Sequence, residues 1–262
     1  MRTIARLTRR LLLALMLAYF ALPLLTTLVF SLSQGRQGYG LSAYAALIRR
    51  ADLLEPLLLS IALAAATIAL VLVVLLPAMI AMHLLAPRLK GLFEAIAVLP
   101  FVVPAIALVA GLTALVPGPG WLVGSPAFLA LPCFVLALPY AYRAIDVGLG
   151  PLDLPQLRLA AASLGAGPVR TILWVVLPNL GPALVNAALL TFTVVLGEFT
   201  VANILLFPTF PVALARIGRS QPDVAAALSI VSFLLTWAAL FGALRAGRLA
   251  APRAANRDGV SP

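Results

Sequence analysis

Six long apolar stretches, joined by shorter polar segments, make up most of this chain. They run over about 11–32, 57–84, 92–116, 127–149, 178–207 and 224–244. A helix of about 20 apolar residues crosses the roughly 30 Å hydrocarbon core of a bilayer. Barrel strands would alternate with period two, whereas these runs are apolar on every side. A backbone crossing lipid must also satisfy its own N–H and C=O groups, which a helix does within one segment. The pattern therefore predicts an all-α, polytopic membrane protein of about six transmembrane helices, in a single domain over residues 1–262. Prolines punctuate the runs: Pro77 in the second, Pro100 and Pro104 in the third, Pro132 and Pro139 in the fourth. Kinks are expected there.

Composition narrows the class. Of the 262 residues, 63% are hydrophobic and 10% charged, against roughly 25% charged in a soluble domain. That leaves too few polar side chains to coat a water-facing surface. The net charge of +10 does not read as nucleic-acid binding, because the arginines crowd the ends of apolar runs. Arg2, Arg6, Arg9 and Arg10 precede the first, and Arg245, Arg248, Arg253 and Arg257 follow the last. Basic residues are retained on the cytoplasmic side and also attract anionic lipid headgroups. With the N-terminus inside, thirteen basic residues fall on the cytoplasmic side and five on the other, accounting for all 18. Both termini are expected to be cytoplasmic. The first stretch is longer than the 7–15 residues of a signal-peptide apolar region, so it reads as an uncleaved span.

Few residues carry chemistry. Cys133 is the only cysteine and lies in an apolar run, where it reads as a packing residue with no disulfide partner. His83 is the only histidine, with no second metal-ligand type beside it; it reads as a helix-end residue at the interface, and no metal site is expected. The only lysine, Lys90, sits between Leu89 and Gly91. A phosphate-binding P-loop needs its lysine after a glycine and before Ser or Thr, so this chain has none and is not expected to hydrolyse ATP. No nucleophile–base pair or metal cluster suggests an enzyme, and no catalytic residue is assigned. Glu94 and Asp146 fall at predicted helix ends. Asp146 is three residues from Arg143 and is expected to pair with it at the surface.

Glu198 stands within the fifth stretch, with Thr200 and Asn203 close in sequence. An ionisable group inside a span costs about 2.5–3.5 kcal/mol on insertion scales and generally faces water or a partner. These three are candidate residues of a translocation path. A structural hydrogen bond, or a position near the outer interface, explains Glu198 equally well.

The most informative segment lies between the fourth and fifth stretches, over residues 154–177. Pro155 suits an opening helical turn, Ala160, Ala161 and Ala162 favour the helix, and Gly165, Gly167 and Pro168 break it. A small helix with an alanine face can dock closely in another protein's groove. Leu157 and Leu164, seven apart, would serve as its apolar anchors, and Arg158 as a partner for an acidic groove edge. A helix resting on the membrane surface is the simpler reading. A second amphipathic piece, about 169–177, leads to Pro178.

This segment resembles the Glu-Ala-Ala signature of binding-protein-dependent ABC importer permeases: Glu-Ala-Ala, three residues, Gly, nine residues, then Ile-x-Leu-Pro. Ala160 and Ala161 match the two alanines, Gly165 the glycine, and Val175, Leu177 and Pro178 the terminal positions. Leu159 stands where the family has Glu. Leu99-Pro-Phe-Val-Val-Pro104 is similar to the family's third-span pattern, Leu138-Pro-Tyr140 with Arg143 to its fourth, and Leu196-Gly-Glu-Phe199 to the fifth-span motif of polyamine, ferric iron and oxyanion permeases. The resemblance covers about residues 57–245. It implies a MetI-like ABC importer permease fold in a bacterial inner membrane, with Leu157, Arg158, Ala160, Ala161, Leu164 and Gly165 coupling to an ATPase. The partners it implies are two ATP-binding subunits that hold ATP and Mg, a second and different permease subunit, and a periplasmic substrate-binding protein. A polyamine, or ferric iron, is the implied solute. A secondary transporter driven by an ion gradient remains the alternative. Such proteins place coupling groups on broken helices near the midplane.

Overall fold

The computed structural model describes residues 2–34, 38–115 and 124–250. The described residues form helices joined by short turns and loops, with one isolated bridge between Ser33 and Tyr39. We number its main helices α1 (Arg2–Leu32), α2 (Ser42–Ile48), α3 (Leu54–Leu85), α4 (Lys90–Val102), α5 (Ala105–Leu115) and α6 (Ala130–Leu149). After these come α7 (Leu154–Ser163), α8 (Pro168–Thr171, Ile172–Val176 and Leu177–Asn179), α9 (Gly181–Leu196), α10 (Thr200–Ile204), α11 (Phe210–Ser220) and α12 (Pro222–Ala250). Among the described residues, four helical segments are long and apolar enough to cross a membrane: Arg6–Leu32, Leu54–Leu85, Pro126–Leu149 and Gly181–Ile204. The chain is thus a multi-pass membrane protein. The count reaches five if α4 and α5 form one broken span, rather than the six expected; the apolar portion of α12, Pro222–Ala238, is shorter than the four.

The third apolar stretch bends by 112° between α4 and α5. Its cause is local. A residue before proline is pushed out of the helical region, and Val103, before Pro104, is extended at φ −84°, ψ 120°. Pro100 is accommodated inside α4. Prolines act differently at two other points. In α3 the hydrogen-bond ladder widens to a π turn at Val71–Leu75, and in α8 at Ile172–Val176. Each π turn is followed two residues later by a proline, Pro77 or Pro178. A proline lacks the amide that would bond the carbonyl four residues back. Here the ladder absorbs the loss by slipping to longer bonds, Leu76 N–H to Val71 C=O and Leu177 N–H to Ile172 C=O.

The chain divides into two units. The first comprises Met1–Glu55 and Val212–Ala239. Within it α1 exposes nearly all of its length, Ser31 being its one buried residue among those described. The Ser31 and Tyr44 hydroxyls share a hydrogen bond of 2.7 Å, and Gln34 donates to Ser42 at 2.9 Å. Arg50 donates to Gln221.

The second unit, Pro56–Pro211 with Leu240–Pro262, holds the principal core. Val71, Met79, Ile145, Leu149, Leu154 and Leu180 are its buried centre. Helix α6 runs through the middle, packed against α9 and α4. Its small residues Ala137, Ala141, Ala144 and Gly148 repeat at helical spacing, which lets backbones approach closely. At Gly148 an added methyl would overlap the Cβ of Ala183 on α9. Cys133 is buried in the same helix, with its surface 1% exposed.

Candidate functional site

Helix α7 is a short rod with both ends capped. The Asp153 carboxylate accepts from the Gln156 amide at 3.0 Å, and Pro155 occupies the first turn. At the other end Gly165 adopts φ +78°. Its amide donates to the Ala162 carbonyl and that of Ala166 to the Ala161 carbonyl, both at 2.9 Å. This paired pattern is the Schellman stop, which requires a left-handed residue and so favours glycine. The segment thus starts and ends where Pro155 and Gly165 predict.

Burial sorts the expected docking residues. Leu154, Leu157 and Ala161 lie at i, i+3 and i+7 and turn inward; Leu154 and Ala161 are buried, and Leu157 packs against the core. Arg158, Leu159, Ala160, Ala162 and Leu164 are exposed, Leu164 at 89%. The two expected anchors therefore part company. Leu157 holds α7 to its own chain, and Leu164 points away from it. Gly165 is exposed and sets the stop.

A charged cluster that sequence reasoning missed lies in the same unit. Asp146, expected to meet Arg143 at the surface, is instead buried, and its Oδ1 lies 2.8 Å from Lys90 Nζ and 3.4 Å from His83 Nε2. Neither approach has hydrogen-bond geometry at that oxygen, so the Lys90–Asp146 contact is an electrostatic one. His83 Nδ1 contacts the Met79 carbonyl at 2.9 Å. Three helices meet at one carboxylate: the end of α3, the start of α4 and the last turn of α6. Arg143 reaches Glu94 at 3.6 Å, with both side chains more than half exposed. The reason is the face of α6. Tyr142, Ile145, Asp146 and Leu149 form its buried stripe, whereas Arg143 and Val147 lie on the opposite side. The only lysine and the only histidine were the available signal, but their convergence depends on the α3–α4 turn.

Glu198 occupies the gap between α9 and α10. Both carboxylate oxygens accept from the Val201 amide, at 3.0 and 3.1 Å, and Oε2 also accepts from the Ala202 amide at 3.2 Å. The acid thus caps the first amides of α10, which have no partner within the helix and where the helix end is electropositive. Glu198 is half-buried, and Thr200 and Asn203 are exposed. No hydrogen bond joins either side chain to Glu198 among the described residues. Nor do three His, Cys, Asp or Glu side chains gather as a metal would require among the described residues.

The arrangement offers two things: a short capped rod seated on a helical core with one face exposed, and a joint where side chains from three of that core's helices meet. No protein-family model and no curated protein sequence matches this chain.

Proposed function

We propose that the chain is a transmembrane permease subunit of a bacterial ABC importer, forming half of a solute path and receiving force from a separate ATPase through α7. The observation that carries this reading is α7 itself. A capped rod, ended by a left-handed glycine, stands at the spacing of the importer signature and keeps Arg158, Leu159, Ala160, Ala162 and Leu164 outward. Its inner side, Leu154, Leu157 and Ala161, is seated in the core. A push on the rod is therefore a push on α3 and α8, and rigid-body rocking of packed helices is a recognised way to switch access. ATP and Mg belong to the partner ATPase subunits. A second, different permease subunit completes the path, a periplasmic binding protein delivers the solute, and both termini lie on the cytoplasmic side. A small cation such as a polyamine, or ferric iron, is the solute class suggested by Leu196-Gly-Glu-Phe199.

The test is co-purification of the full-length chain with a candidate ATPase subunit from the same organism. Ala160 is exposed whereas Ala161 is buried, so Ala160→Glu challenges docking without disturbing the core. We expect the wild type to retain the ATPase and A160E to lose it at unchanged thermal stability. Failure of the wild type to retain any ATPase overturns the reading. Uptake that stops when the proton gradient is collapsed but ATP is kept favours the secondary transporter instead.

A further inference from the structure

A groove of about 400 Å³ opens in the second unit between α3 and the α7–α8 segment. Its walls are apolar: Leu72, Ile80 and Leu85 on one side, Ile172, Leu173 and Val176 on the other. Both π turns contribute, Val71–Leu75 through Leu72 and Ile172–Val176 through the other wall. Widened helical turns of this kind are frequent at binding sites. Among the described residues its one charged lining group is Arg158. Arg158 is exposed, and no carboxylate pairs with it among the described residues.

We propose that this groove binds one acyl chain of an anionic phospholipid, with the lipid phosphate against Arg158. Three observations fix the occupant. The groove follows the membrane-spanning helix α3 to its end, so lipid is the solvent that meets it. From Leu72 to Leu85 the helix rises roughly 20 Å at about 1.5 Å per residue. That is about two-thirds of the roughly 30 Å hydrocarbon core, enough to line the roughly 15 Å of one leaflet. The exposed Arg158 guanidinium lines the groove beside Leu154 of the same helix, and its planar fork matches a phosphate. Basic groups at the mouths of clefts between membrane helices select anionic headgroups in this way. The bound lipid would wedge α7 and α8 against α3. The proposal requires only that the chain spans a membrane, and it is independent of any ATPase.

Native mass spectrometry of the full-length, delipidated protein in mild detergent tests it, with dioleoyl phosphatidylglycerol and dioleoyl phosphatidylcholine as probes. We expect one phosphatidylglycerol to be retained at least about tenfold better than phosphatidylcholine. Arg158→Gln should erase that preference while leaving weak binding of both. Ala81→Trp and Leu85→Trp, at exposed lining positions, should fill the groove and abolish retention of both lipids. Equal retention of the two lipids by the wild type overturns the proposal without any variant. So does undiminished phosphatidylglycerol binding by either folded tryptophan variant, or displacement of the lipid by inorganic phosphate at equal concentration, which would assign the site to a free anion.

Discussion

Asp146 and Glu198 are both carboxylates set among apolar helices, yet they are held in opposite ways. Asp146 is bound by side chains from two other helices, Lys90 at 2.8 Å and His83 at 3.4 Å. Glu198 is bound by backbone amides three and four residues further along its own chain. The first acid is a tertiary joint and the second a local cap. The same functional group therefore reports on packing in one place and on a helix break in the other. A charge in an apolar segment is a sign of compensation before it is a sign of transport.

Three substitutions break or sharpen this contrast. The largest effect is expected at the joint. Lys90→Ala strands a carboxylate that is 9% exposed, while Lys90 itself is 44% exposed, so the loss should be about 2 kcal/mol, below that of a fully buried pair. SDS-titrated unfolding in micelles should show a marked loss, and a change below about 0.5 kcal/mol would mean that Asp146 is not held by Lys90. Next comes the cap. Glu198→Ala should lose about 1 kcal/mol by the same measurement. Glu198→Gln, which still accepts from the Val201 and Ala202 amides, should recover a large part of it. If Glu198 is a cap alone, E198Q also keeps solute uptake; equal loss of uptake in E198Q and E198A would return the acid to the path. The smallest effect is expected outside both. Arg143→Ala breaks an ion pair whose side chains are 68% and 52% exposed, and should cost no more than about 0.5 kcal/mol. A larger loss would show that the outer face of α6 is covered in the assembled protein.

The outcome at each acid shows what a sequence can carry. Pro155 and Gly165 act through their own φ values, so the limits of α7 were legible. So was the position of the break at Pro104, because a proline restricts its immediate neighbour. The 112° bend that follows was not, since the angle is set by what α4 and α5 pack against. Asp146 was misread for the same reason. The i, i+3 spacing to Arg143 is a local preference worth a few tenths of a kcal/mol, and the burial of one face of α6 outweighs it. Leu157 and Leu164 share a helix face by spacing alone. Helix α7 sits so that the core takes the first and leaves the second outside, which only the tertiary arrangement decides. The π turns were hidden as well, although a proline two residues after each is a mark that can be sought in other sequences.

The burial of Cys133 makes the molecule convenient for mapping by thiol chemistry. The chain has one sulfhydryl, and with 1% of its surface accessible it is shielded from water-soluble maleimides. A cysteine introduced at a single outward position, such as Leu164, then reports alone, with no need to engineer the native residue away. Applied to sealed vesicles of either orientation, an impermeant reagent would read out directly which compartment the rod occupies.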